Sequence, residues 1–135
     1  AHTYSKSYGL EEKGLLGAGK VPYNELTEFD ASFDACLFLM FSQHPGVVPL
    51  EMMASGVPVI VNSNKSTDWQ DLYKHNHNCI ISKNSSTEIV NSIITVLEDS
   101  KLRKKLISNG LKMAEEYGGS RYQDSIVNVI KKIKQ

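Results

Sequence analysis

Hydrophobic positions fall into short unbroken runs first and helical periods later. Asp34–Phe41 (DACLFLMF) and Val57–Val61 (VPVIV) are continuously apolar, the pattern of strands buried on both faces of a parallel sheet. Cys79–Ile81 is a third, shorter run, and Gly14–Val21 (GLLGAGKV) a weaker strand candidate. Between these lie helical spacings. Pro22 stands at a first helical position, followed by Leu26, Phe29 and Phe33. Val48–Ser55 predicts a short helix with Pro49 in its first turn and Gly56 just past its end. Beyond Cys79 the period is helical throughout. Ser85 and Glu88 form a capping box ahead of Ile89, Val90, Ile93, Ile94 and Leu97. A second helix from about Ser100 carries Leu102, Leu106, Ile107, Met113 and Ala114 until Gly118-Gly119 stops it. Ser120 caps a last helix with Tyr122, Ile126, Val129, Ile130 and Ile133, and lysines in its final turn suit the helix dipole.

Strands alternating with helices predict an α/β fold, a doubly wound parallel sheet of Rossmann-like type. Ligands of such sheets bind at the carboxyl ends of the strands. The segments after Gly19, Phe41 and Val61 are therefore where function is sought. Residues 1–13 lack a period and read as a loop or the remnant of a truncated helix.

Composition narrows the classes. At 135 residues the chain is one domain of ordinary size, able to bury a core without disulfides. Fifteen basic and fifteen acidic side chains cancel, so no global charge draws it to nucleic acid or an anionic membrane. No apolar run is long enough to span a bilayer. Two cysteines make no disulfide framework, and both read as reduced and structural, as in a cytoplasm. With no initiator methionine and no signal segment, the chain reads as a cytoplasmic domain cut from something longer.

The richest segment is Ser42–Asn62, SQHPGVVPLEMMASGVPVIVN. It leaves one buried strand, crosses a Pro-Gly turn, enters a helix and returns as another strand. Gly46 lets a ligand approach the backbone closely. The amides of Val47, Val48 and Leu50 stand at the helix start, where intrahelical partners are lacking, and suit a phosphate or diphosphate. Glu51, in the first turn, can hold a pair of sugar hydroxyls; equally, an acid there complements the helix dipole.

The run from Gly46 to Ile60 resembles the donor-site motif of GT-B glycosyltransferases of the family 4 type, in which Leu-Glu-Ala-Met-Ala-x-Gly-x-Pro-Val-Ile follows a glycine turn. The wording HPGVVPLEMMASG is similar to a branch that includes bacterial rhamnosyltransferases for cell-surface glycans. The resemblance extends over most of residues 14–135. It implies one lobe of a GT-B fold, the donor-binding one, with the N-terminal acceptor lobe outside this chain. Glu51 would bind the donor ribose; Gly46, Val47 and Val48 would face the diphosphate and sugar; Val21, Pro22 and Tyr23 would border the base. The family's first acidic residue falls on Gln43, which keeps hydrogen-bonding capacity but no charge. His44, beside it, can touch a phosphate or sugar hydroxyl, or simply face water from its turn.

The implied reaction moves a hexose-like unit from a nucleoside diphosphate sugar to a glycan or lipid-linked acceptor. Retention of configuration is expected, with no metal or other cofactor and no transfer by the isolated lobe. The full-length protein would act in the cytoplasm, at the inner face of the membrane. The rival reading is a non-catalytic Rossmann-like domain for a phospho-ligand or protein partner. Two other motifs are set aside. Gly14–Lys20 matches G-x-x-x-x-G-K, but Val21 stands where a P-loop needs Ser or Thr. His75, His77 and Cys79 alternate without the fourth ligand that structural zinc needs.

Overall fold

A computed structural model of the protein describes residues 21–40, 46–63 and 72–118. The expected strand at Gly14–Val21 and the helix after Ser120 fall outside the described residues, except for Val21. Three parallel strands, β1 (Cys36–Phe38), β2 (Val59–Asn62) and β3 (Ile80–Ser82), form a sheet in the order β1-β2-β3. Cys36 pairs with Val59 and Ile60 with Ile80. A 3₁₀ turn (Tyr23–Glu25) leads into α1 (Leu26–Ala31); α2 (Val48–Ala54) crosses between β1 and β2; α3 (Ser86–Glu98) and α4 (Ser100–Tyr117) follow β3. The parallel α/β architecture is as the alternation predicts.

Every residue of β2 is buried, and its alternating side chains feed two cores. Val59 and Val61 join Met52, Met53, Tyr73, Cys79, Met113 and Ala114 on the face covered by α2 and the second half of α4. Ile60 joins Ile80, Val96 and Leu106 on the face covered by α3 and the first half of α4. A single long helix thus closes both layers. Its fit to α2 depends on Gly110, where a Cβ would come within 3.1 Å of Met53 Cγ.

Several elements depart from the sequence expectation. The helix bearing Leu26 and Phe29 stops at Ala31 because the Ser32 hydroxyl and backbone turn back onto the Phe29 carbonyl. Phe33 leaves the helix and packs edge-on to Phe29, ring centres 5.0 Å apart. Pro22 precedes the 3₁₀ turn, with ψ 142°, and does not occupy its first position. The Asp34–Phe41 run contracts to three paired residues, and Leu37 is 42% exposed, so β1 is not buried on both faces as expected. On α3 the inward face is the half-buried Ile89 and Ile93 with the buried Val96, whereas Val90, Ile94 and Leu97 are exposed. Ser85 accepts from the Glu88 amide, and Asp99 caps α4 by accepting from the Leu102 amide at 2.9 Å. Among the described residues no helix is long and apolar enough to cross a membrane.

Burial sets the chemistry of the cysteines. Desolvation, with Asp30 nearby, pushes the Cys36 thiol up to about 11. Desolvation alone pushes Cys79 up to about 12. Tyr73, buried beside both thiols, is also raised to about 12. The neutral forms are therefore favoured by folding. Their stabilisation is complete below the ordinary thiol value of 9.0 and is lost as pH rises toward 11 to 12, because the unfolded chain sheds these protons first. Urea unfolding should show stability falling between about pH 9 and 11, with a shallower fall in the Cys36→Ala/Cys79→Ala variant. Equal slopes for the two proteins would contradict this account.

Candidate functional site

The carboxyl ends of the three strands are built by polar groups that stand in for missing backbone pairing. Where the ladder between β1 and β2 stops at the Phe38–Val61 pair, Asn62 takes over. Its Oδ1 accepts from the Met40 amide at 2.6 Å and its Nδ2 donates to the Met40 carbonyl at 2.8 Å. On the other side the Ser63 amide donates to the Ser82 carbonyl at 2.6 Å, and Asn84 Nδ2 donates to the Ser63 carbonyl at 2.8 Å. Asn62 and Ser82 are both buried. Sequence reasoning missed this rim. Its signal was a polar residue closing each apolar run, VIVN and IIS, since a buried polar side chain must find a partner.

Gly46 follows with φ +68°, in the left-handed region. A Cβ there would meet Phe38 Cζ at 2.7 Å and Met40 Sδ at 3.6 Å. The glycine is thus required twice, by its backbone angle and by the ring against which it sits. Val47 and Val48 come next, 62% and 44% exposed, at the start of α2. Neither amide has a hydrogen-bond partner among the described residues. The expectation for Leu50 is corrected. Its amide donates to the Val47 carbonyl at 2.9 Å, and Glu51's amide donates to the same oxygen at 3.1 Å. The tightened first turn uses that carbonyl twice, a common way to satisfy helix-end amides. Among the described residues, two unpartnered donors remain in place of three.

Glu51 is exposed in the first turn of α2, and its carboxylate has no partner among the described residues. Val21 is half-buried, Pro22 exposed, and Tyr23 presents its ring at 89% exposure. This segment leads into α1, which packs on α2, so the base-side and phosphate-side elements are neighbours. Gln43 and His44 lie outside the described residues.

The His75–Cys79 stretch resolves into a turn. His75 and Cys79 form a backbone bridge, Asn76 takes φ +56°, and His75 Nδ1 accepts from the Ile81 amide at 3.0 Å. Asn78 pins it from inside, accepting from the Lys74 amide and donating to the Leu72 carbonyl. A cavity of about 230 Å³, lined by Lys74, His77, Asn109, Lys112 and Tyr117, opens here at the amino end of β3, the opposite end from the rim.

The family model of the WsaF C-terminal domain matches residues 6–94. The O-antigen biosynthesis protein RfbC of Myxococcus xanthus is 28% identical over 127 residues, 93% of this chain. The chain spans only 9% of that relative's length. Sucrose-phosphate synthase of Thermosynechococcus elongatus superposes with a TM-score of 0.76 over 99% of the chain and 34% of its own, at 17% identity. HepE of Anabaena, solved in complex with UDP and glucose, superposes at 0.71 over 97% of the chain and 35% of its own, at 23% identity. The fold is that of the GT-B glycosyltransferase lobes.

The Gly46 turn is directly testable. Gly46→Ala should lower the unfolding free energy by about 1–3 kcal/mol through its left-handed angle and ring clash. Urea denaturation measures this, and an unchanged midpoint would refute the described seat on Phe38.

Proposed function

The chain belongs to the family of WsaF C-terminal domains, and on that premise we propose that it is the donor-binding lobe of a GT-B glycosyltransferase. The lobe comprises residues 14–135, and another part of the full-length protein supplies the acceptor lobe. The carrying observation is the left-handed glycine beside Phe38 of β1, followed on one helix start by two amides and a carboxylate that have no partner among the described residues.

Charge develops on the leaving diphosphate as the glycosidic bond breaks. Donors already fixed at Val47 and Val48 stabilise it without reorganising, the main way such sites lower a barrier. Glu51 holds the ribose hydroxyls, which donate to its oxygens. Val21 and Pro22 border the base, with the exposed Tyr23 ring able to stack on it. By the motif resemblance, Gln43 and His44 are the residues assigned to the donor sugar and phosphates. Here Gln43 acts through its amide, because it carries no charge to balance a cationic anomeric carbon. Backbone amides and the positive end of α2 supply the countercharge, so no metal is needed. The donor is a nucleoside diphosphate sugar, and the acceptor is a glycan or lipid-linked saccharide, reached with retention of configuration. RfbC's role in O-antigen biosynthesis and HepE's bound UDP and glucose support a place in polysaccharide assembly. A cytoplasmic site at the inner face of the membrane suits a nucleoside diphosphate sugar as donor.

Calorimetric titration with UDP, dTDP, GDP and ADP tests the reading. At least one should bind, unaffected by EDTA. Glu51→Ala should weaken it by about 1–3 kcal/mol, the worth of a hydrogen bond to a charged group. Silence from all four nucleotides, or unchanged affinity alongside lower thermal stability, would return Glu51 to the role of a helix-end residue. The domain alone should show no transfer to any saccharide.

A further inference from the structure

We propose that Asn62 is a positioning residue for the donor turn, acting through Met40 and Phe38 on the direction of the Val47 and Val48 amides. The inference rests on the donor-lobe reading and adds to it a residue that touches no ligand. Four observations carry it. Asn62 is buried at the end of β2, where the alternation of that strand would place another apolar residue. Both polar atoms of its side chain are spent on one residue, Met40, which is itself buried. Backbone pairing of β1 has ended by that point, so this side chain holds Met40 onto β2. Met40 Sδ and the Phe38 ring then form the seat on which Gly46 rests in its left-handed conformation.

The amide side chain is what this task requires. Asn and Gln carry a donor and an acceptor side by side on one planar amide, and so can replace a strand partner for both the N–H and the C=O of a single residue. Asp would accept from the Met40 amide but set a charge against its carbonyl. Ala would leave both Met40 groups buried and unpaired. With β1 released beyond Phe38, the seat under Gly46 loosens, and the Val47 and Val48 amides at the start of α2 are no longer held in place. A loss of preorganisation follows, felt by a ligand and by the free amides alike.

The test compares wild type, Asn62→Ala and Asn62→Ser, the last keeping one hydroxyl in the same space in case Ala does not fold. Three quantities are read: urea stability, the amide resonances of Val47 and Val48 in the free domain, and nucleoside diphosphate affinity by titration calorimetry. We expect folded variants whose Val47 and Val48 resonances move more than those of α3 and α4. Nucleotide affinity should fall about tenfold for Ala and less for Ser, the scale of one or two lost hydrogen bonds. A purely structural Asn62 would lower stability while leaving the Val47 and Val48 resonances and the affinity in place, and that result overturns the proposal. If wild type binds no nucleotide, the donor reading falls, yet the resonances in the free domain still decide whether Asn62 sets the turn.

Discussion

The described structure at the carboxyl end of β1 depends on a backbone that turns left-handed with no room for a side chain. At φ +68° a Cβ on residue 46 would be strained, and the Phe38 ring occupies the space it would need. The glycine therefore lets the chain pass tightly against the Phe38 ring just before it enters α2. It is followed by the Val47 and Val48 amides at the helix start, which have no hydrogen-bond partner among the described residues.

Rigidity behind that turn comes from the two-sided sheet. β2 is fully buried and sends alternate residues into two cores, while α4 closes both. Because α2 packs through Met53 against Gly110 of α4, the helix carrying Glu51 is braced from behind. Asn62, Ser63 and Asn84 continue the bracing past the strand ends with side chains and single amides in place of a ladder. Preset polar groups over an ordered core are what electrostatic stabilisation of a leaving diphosphate calls for. Fold and proposed chemistry thus share one cause.

Much of this was legible in the residues. Unbroken apolar runs marked the parallel strands, and Pro49 with Gly56 bracketed α2 because each does at a helix end what other residues do poorly. The misreadings have local causes. On α3 both Ile89–Ile93–Val96 and Val90–Ile94–Leu97 are apolar at helical spacing; the sequence offers two stripes, and only the position of the sheet selects the first. Standard helix geometry leaves the Leu50 amide free, whereas here the turn tightens and that amide donates to the Val47 carbonyl. The rim residues Asn62 and Ser82 looked like strand ends, since their partners, Met40 and Ser63, are distant in sequence or lie on another strand. Local pattern finds elements well and finds the bonds between elements poorly.

A crystal structure of the domain with its preferred nucleoside diphosphate would decide the central claim. The account predicts terminal phosphate oxygens within hydrogen-bonding distance of the Val47 and Val48 nitrogens, with the ribose against Glu51. A nucleotide seated elsewhere, for instance in the lysine-lined cavity at the amino end of β3, with those two amides left to water, would contradict it.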